Sequence, residues 1–186
     1  MSRSPDLMNA DDTTLLVVDV QTRLLATEPD GPAIVWNARR LLDAAAALGV
    51  PALATEQVPE KLGGTEGSLA QRLSQTLVKS AFSGCGAEGL KGALAAQGRF
   101  RVLLCGIETH VCVAQTALDL LAEGFRVYVA LDAVSSRHAI DHATALRRME
   151  CAGVTLTTTE AAMFEWCADA KHEAFRKISS LVKEEL

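Results

Sequence analysis

Three short runs of the chain are almost wholly apolar, and they set the expected architecture. Thr13–Val20 (TTLLVVDV) carries one carboxylate, Asp19, near its C-terminal end. Arg101–Cys105 (RVLLC) stops at Gly106, and Phe125–Leu131 (FRVYVAL) stops at Asp132. Near-continuous runs of this length suit strands of a parallel sheet covered on both faces. Three weaker segments, Pro51–Thr55, Gln75–Lys79 and Val154–Thr157, read as further strands. Between them the apolar residues fall at helical spacing. Ile34, Ala38, Leu41, Leu42, Ala45 and Leu48 mark one helix, ended by Gly49 and Pro51. Ser68 is expected to cap a short helix through Leu73, and Ala87–Gln97 forms another, stopped by Gly98. Val111, Ala114, Ala117, Leu118 and Leu121 mark a helix closed by Gly124. Ser135 and Ser136 are expected to cap one that ends near Cys151–Gly153. A short helix from about Thr159 and an amphipathic one through Phe175, Ile178, Leu181 and Val182 finish the chain.

Six strands alternating with helices predict a doubly wound, Rossmann-like α/β fold: a six-stranded parallel sheet in order 3-2-1-4-5-6 with helices on both faces. No repeat, linker or low-complexity segment divides the 186 residues, so a single domain, 1–186, is expected. A net charge of −5 gives no basic footprint, which argues against nucleic acid or an anionic membrane as partner. No apolar run approaches the ~20 residues needed to span a bilayer, and the first ten residues lack the apolar core of a secretion signal. Five cysteines make no even disulfide ladder and fit a reducing compartment, so a cytoplasmic protein is expected.

In such sheets ligands bind beyond the carboxyl ends of the strands, where the strand order reverses. The polar residues at those ends are Asp19, Glu56, Gln57, Lys79, Cys112, Asp132 and Ser135. The predicted order makes strands one and four neighbours, which brings Asp19 and Cys112 together. Cys112 falls in the first turn of a helix, where free N–H groups and the helix dipole favour a thiolate. An acid and a thiol around one crevice suit nucleophilic chemistry. Lys79 lies two strands from Asp19, so topology alone leaves its place open.

The segments LLVVDVQ with Asp19, VKSAFSG with Lys79 and GIETHVCVAQTALDL with Cys112, followed by DAVSSR, closely resemble the isochorismatase-like cysteine hydrolases. The resemblance runs from about Thr13 to Thr158, and the segments in this order are far more specific together than singly. It implies Cys112 as nucleophile, Asp19 as general base and acid, and Lys79 as the third member of a catalytic triad. It also implies a cis peptide between Ile107 and Glu108 and an oxyanion hole made by the backbone N–H groups of Glu108 and Cys112. Metal-using relatives, the nicotinamidases, carry a histidine soon after the first aspartate and an Asp-x-His set nearby. Here Gln21 follows Asp19 and TEQVP follows strand two, so no metal and no cofactor is expected. Isochorismatases proper lack the nucleophilic cysteine. Its presence favours an amide- or imide-like carbonyl in a small-molecule substrate, as in the metal-free isochorismatase-domain subgroup. Gln21 and Phe82 are candidates to line the pocket. The family commonly forms dimers, tetramers or larger rings, so a homo-oligomer is expected, and the C-terminal helix could serve it or pack on its own sheet.

Other readings compete. Gly84-Cys85-Gly86-Ala87-Glu88-Gly89 satisfies a dinucleotide fingerprint, with Glu108 at about the right distance, but its strand is short, polar and third in order. His138 and His142 sit four apart, a metal-capable spacing that more simply marks a solvated helix face. His110 stands two residues from Cys112, where helical side chains diverge, which makes it a poor base. Cys105 and Cys112 could form a redox pair only with suitable Cα geometry. A non-catalytic binding or scaffold protein on the same fold is the alternative from another class.

Overall fold

The computed structural model describes residues 3–96 and 98–186. Strands β1 (Thr13–Val18), β2 (Ala52–Gln57), β3 (Gln75–Lys79), β4 (Arg101–Ile107), β5 (Arg126–Ser135) and β6 (Thr155–Thr157) form one sheet in order β3-β2-β1-β4-β5-β6. Every pairing is parallel. The expected topology is therefore the observed one. All carboxyl ends lie on one edge of the sheet, and the order reverses between β1 and β4.

Alternation along the central strands divides the core into two halves. Leu15 and Val17 of β1, Leu103 and Cys105 of β4, and Tyr128 and Ala130 of β5 join one apolar cluster. On that face lie helices α2 (Gly31–Leu48), α8 (Thr159–Cys167) and α9 (Phe175–Val182). Leu16, Val18, Val102, Leu104, Val127 and Val129 join the other, beneath α5 (Leu90–Ala96), α6 (Ala114–Ala122) and α7 (Ala139–Ala152). All six residues of β1 are buried, as a strand covered on both faces requires. Helix α9 seats Ile178 and Leu181 in the first cluster, so this face of the C-terminal helix packs within its own chain, against α2 and α8. Short helices α1 (Thr22–Leu25), α3 (Pro59–Leu62) and α4 (Gly67–Ala70) occupy the loops after β1 and β2.

Three local expectations are corrected. Glu66, not Ser68, caps α4: its carboxylate accepts from the N–H groups of Ser68 (2.9 Å) and Leu69 (3.2 Å). A carboxylate is the stronger acceptor for the free donors of a helix start. β5 continues past Asp132 to Ser135, with its register to β4 shifted between Leu104 and Gly106. Ser135 thus belongs to a strand, and α7 starts after His138, which makes no side-chain cap. The helix expected over Ala87–Gln97 begins at Leu90, and its expected last residue, Gln97, lies outside the described residues.

The switch point depends on one glycine. Gly106 has φ +127°, and a Cβ there would land on the Val18 carbonyl, with Val18 N and C at 2.8 Å. β1 and β4 can approach this closely at their carboxyl ends only if position 106 has no side chain. Gly124 (φ +87°) has no atom within 4 Å of a built Cβ, so a substitution there meets backbone strain alone. Gly106→Ala is expected to cost more than ~3 kcal/mol, against ~1–2 kcal/mol for Gly124→Ala, in urea denaturation. Equal costs would show that close approach at position 106 does not matter.

Candidate active site

Asp19 follows β1 and takes a positive φ of +50°, a conformation Asp tolerates better than most residues. The turn is pinned by Asp19 N–H donating to Thr55 O (3.1 Å) and Gln21 N–H donating to Asp19 O (2.7 Å). Its carboxylate is fully buried. Oδ1 accepts from Thr55 Oγ1 at 2.7 Å, and Oδ2 accepts from Lys79 Nζ at 2.5 Å. Lys79 closes β3 and reaches across the end of β2 to make this ion pair, in which neither side chain is exposed to solvent. Its ammonium also donates to the carbonyls of Ala81 (3.1 Å) and Phe82 (2.9 Å). With three donors on three acceptors, Lys79 is fully engaged.

Cys112 comes from the other side of the switch point. After β4 the Ile107–Glu108 peptide is cis, and Thr109–Val113 form one π-helical turn before α6. In that turn Glu108 O accepts from Val111 N–H (3.1 Å) and Val113 N–H (3.2 Å). Cys112 Sγ is buried and makes a long contact of 3.9 Å to Gln57 Oε1. Burial first, and then the Asp19 charge, push the Cys112 thiol up to about 12, against a weaker opposing pull from Lys79. Desolvation and an adjacent carboxylate outweigh the helix start.

The structure thus brings Asp19, Lys79 and Cys112 together beyond the carboxyl ends of the strands. Gln21 is fully buried and braces the loops: Nε2 donates to Gln57 O (3.1 Å) and Gly63 O (2.6 Å), while Oε1 accepts from Gln57 N–H (2.8 Å). Phe82 offers its carbonyl to Lys79 and is 54% exposed as a residue. Glu108 binds Arg137 through its side chain, with Nε to Oε1 at 2.8 Å and the Arg137 N–H to Oε1 at 3.3 Å. Burial works against it, yet the Arg137 bonds hold this carboxyl below its ordinary value.

Other strand-end candidates have structural partners. Glu56 accepts from Thr65 N–H and Oγ1, and Asp132 accepts from Thr159 N–H and Oγ1 at the start of α8. His110 and His142 engage Ser136 and Thr109. The Gly84–Gly86 turn follows an edge strand, and Gly84 packs on α6, donating its N–H to Thr116 Oγ1 at 2.7 Å. Cys105 and Cys112 belong to opposite half-cores, so the sheet separates them. Among the described residues, no three His, Cys, Asp or Glu side chains group as a metal site.

Gln57, a strand-end candidate from the sequence, faces the thiol. Two residues of the site escaped sequence reading: Thr55 holds Asp19, and Thr116 Oγ1 donates to Cys112 O at 2.6 Å while accepting from the loop after Lys79. Both had a usable signal. Thr55 is a polar residue in an apolar strand beside β1, and Thr116 lies four residues after Cys112, one helical turn on.

The Isochorismatase domain family matches residues 13–161. Isochorismatase domain-containing protein 2A of Mus musculus is 40% identical over 171 residues, spanning 91% of this chain and 82% of its own. Among solved structures, the MAR1 ribonuclease of Caenorhabditis elegans superposes with TM-score 0.90 at 36% identity, covering 96% of this chain and 93% of that one. The YcaC gene product of Escherichia coli, described as an octameric hydrolase of unknown specificity, gives 0.88 at 25% identity, covering 97% and 91%.

Removing one member of a buried ion pair leaves an uncompensated charge. Lys79→Met is therefore expected to cost ~3–5 kcal/mol in urea denaturation, with much of that loss recovered in Asp19→Asn/Lys79→Met. Strictly additive losses would show that the two groups are not coupled.

Proposed function

Because the chain belongs to the isochorismatase family and carries that family's hydrolase fold, we propose that it is a single-domain cysteine hydrolase cleaving a small amide- or imide-like C–N bond through a thioacyl intermediate. The observation that carries this reading is the convergence of a thiol on a carboxylate that is itself fixed by a buried ammonium.

In the proposed cycle the Cys112 thiol stays protonated until substrate arrives. Asp19 takes the proton as Sγ attacks the carbonyl carbon, so the thiolate exists only while it is forming a bond. The backbone N–H groups of Glu108 and Cys112 hold the oxyanion. Asp19, now a carboxylic acid, protonates the leaving nitrogen as the C–N bond breaks. Water then adds to the thioester and gives its proton to Asp19, which returns it to sulfur as the acid leaves. Lys79 fixes the Asp19 rotamer and offsets negative charge throughout. Gln21 sets the pocket wall by bracing the loops, and the exposed Phe82 is available to substrate or to a neighbouring subunit.

One structural relative is named a ribonuclease. In this chain Lys79 is engaged by three acceptors and Arg137 by Glu108, and the net charge is −5. Those groups suit a neutral carbonyl better than a phosphodiester. The octameric relative supports a homo-oligomer, and five free cysteines fit a cytoplasmic setting. Among the described residues no helix is long and apolar enough to cross a membrane.

A mass-spectrometric screen of small amides and cyclic imides tests the proposal. Wild type is expected to release the acid from at least one class, and Cys112→Ala to lose turnover by on the order of 10⁴-fold or more with unchanged circular dichroism. Unchanged turnover in that variant would remove Cys112 from the mechanism. A folded wild type inert to the whole panel would favour the non-catalytic binding role.

A further inference from the structure

Gln57, the last residue of β2, has no step in the cycle above, yet its carboxamide stands against the nucleophile. Oε1 lies 3.9 Å from Cys112 Sγ, and the thiol is the one donor it meets among the described residues. Nε2 turns away and donates to Ser80 O at 3.3 Å. The loop after β3 thus presents three successive carbonyls to the site: Ser80 to Gln57, and Ala81 and Phe82 to Lys79. Ser80 fixes which end of the amide faces sulfur, because a carbonyl can receive only its nitrogen.

The main chain is held as firmly. The Gln21 carboxamide pairs with it as a neighbouring strand would, Nε2 to Gln57 O (3.1 Å) and Oε1 from Gln57 N–H (2.8 Å). The next residue, Val58, takes φ +36°, an outlier for a β-branched side chain, and its N–H donates to Lys79 O at 2.9 Å. Strain of this kind persists where the surroundings over-determine it, as they do here. Strand order then gives a direction. The N–H groups of Glu108 and Cys112 follow β4, whereas Gln57 reaches in from β2, across the end of β1. A carbonyl carbon in attack range stands ~3–3.5 Å from sulfur. With its oxygen turned to the β4 side, its other substituents face β2 and the Gln57 oxygen.

We propose that Gln57 is a specificity-determining residue, whose Oε1 receives the Cys112 S–H at rest and the N–H of the scissile nitrogen once Asp19 has taken the thiol proton. That the nitrogen is the one being cleaved rests on the hydrolase reading. When the S–H is lost, Oε1 keeps its lone pairs and loses its donor, and a buried acceptor left without one is costly. A nitrogen bearing a hydrogen supplies the replacement; a tertiary amide or an ester cannot. Asp19 protonates the lone pair of the same nitrogen, so the two residues use different sites on one atom. The substrate class narrows to primary and secondary amides and N–H imides.

Labelling reads the preference without turnover. Iodoacetamide brings a carbonyl with an N–H to the sulfur: the Sγ–carbon bond forms, iodide leaves with the bonding pair, and Asp19 takes the thiol proton. 2-Iodo-N,N-dimethylacetamide lacks the N–H. Exposed Cys151 in the same sample gives the intrinsic rate ratio of the two reagents, with each cysteine followed by peptide mass spectrometry. Cys112 is expected to favour iodoacetamide about tenfold more than Cys151 does. Gln57→Met brings the Cys112 ratio to that of Cys151, and Gln57→Leu does the same should the methionine variant fold poorly. Gln57→Glu, whose oxygen still accepts, keeps the preference. Equal ratios at the two cysteines in wild type, no labelling of Cys112 by either reagent, or a preference that survives Gln57→Met and Gln57→Leu would overturn the proposal. A Gln57-dependent preference in a wild type inert to the amide panel would sink the hydrolase reading alone, whereas amide hydrolysis with equal ratios would sink this one alone.

Discussion

The buried pair of Asp19 and Lys79 is the interaction on which the site depends. Taking both charges out of water is expensive, and their attraction offsets this only when the remaining hydrogen-bonding capacity is also met. Here it is. The carboxylate has Thr55 on its second oxygen, and the ammonium has two loop carbonyls besides Asp19. The pair therefore draws three strand ends, β1, β2 and β3, into one fixed constellation. A charge placed this way also acts on its neighbours. The Asp19 carboxylate works to keep the Cys112 thiol protonated, so in the proposed cycle the group that accepts the proton also opposes its early loss.

The fold delivers the thiol to that pair by permitting a close backbone approach. Gly106 lets β4 lie against β1 where the strand order reverses, and the π-helical turn after it sets the direction of Cys112. Thr116 then joins the turn to the loop that receives Lys79, with one hydroxyl accepting from Gly84 N–H and donating to Cys112 O. The two sides of the site are tied together by these hydrogen bonds, with the two apolar half-cores packing the sheet between its helices.

Much of this was legible in the chain. The apolar runs at Thr13–Val20 and Arg101–Cys105 could only be interior strands, and their alternation with helices predicted the observed strand order. What sequence could not yield was reach and competition. Lys79 starts two strands away from Asp19, and nothing in a one-dimensional pattern says that its side chain crosses the end of β2. Ser68 and Ser135 looked like helix caps because serine is a good cap. Glu66 outcompetes the first, and a strand extending past a register shift absorbs the second. The same holds for Cys112: a helix start pulls toward a thiolate, but burial and Asp19, which push the thiol up, belong to the tertiary structure.

The central claim is that Cys112 rests as a neutral thiol, held so by burial and by Asp19, and loses its proton only during attack. Ultraviolet thiolate absorbance of wild type minus Cys112→Ala, followed across pH, tests it directly. The account predicts no Cys112 thiolate at neutral pH, with ionisation only on approach to about 12, and a lower midpoint in Asp19→Asn, where Lys79 remains and the carboxylate is gone. A thiolate already present at neutral pH in the wild type, or a midpoint indifferent to Asp19, would contradict it.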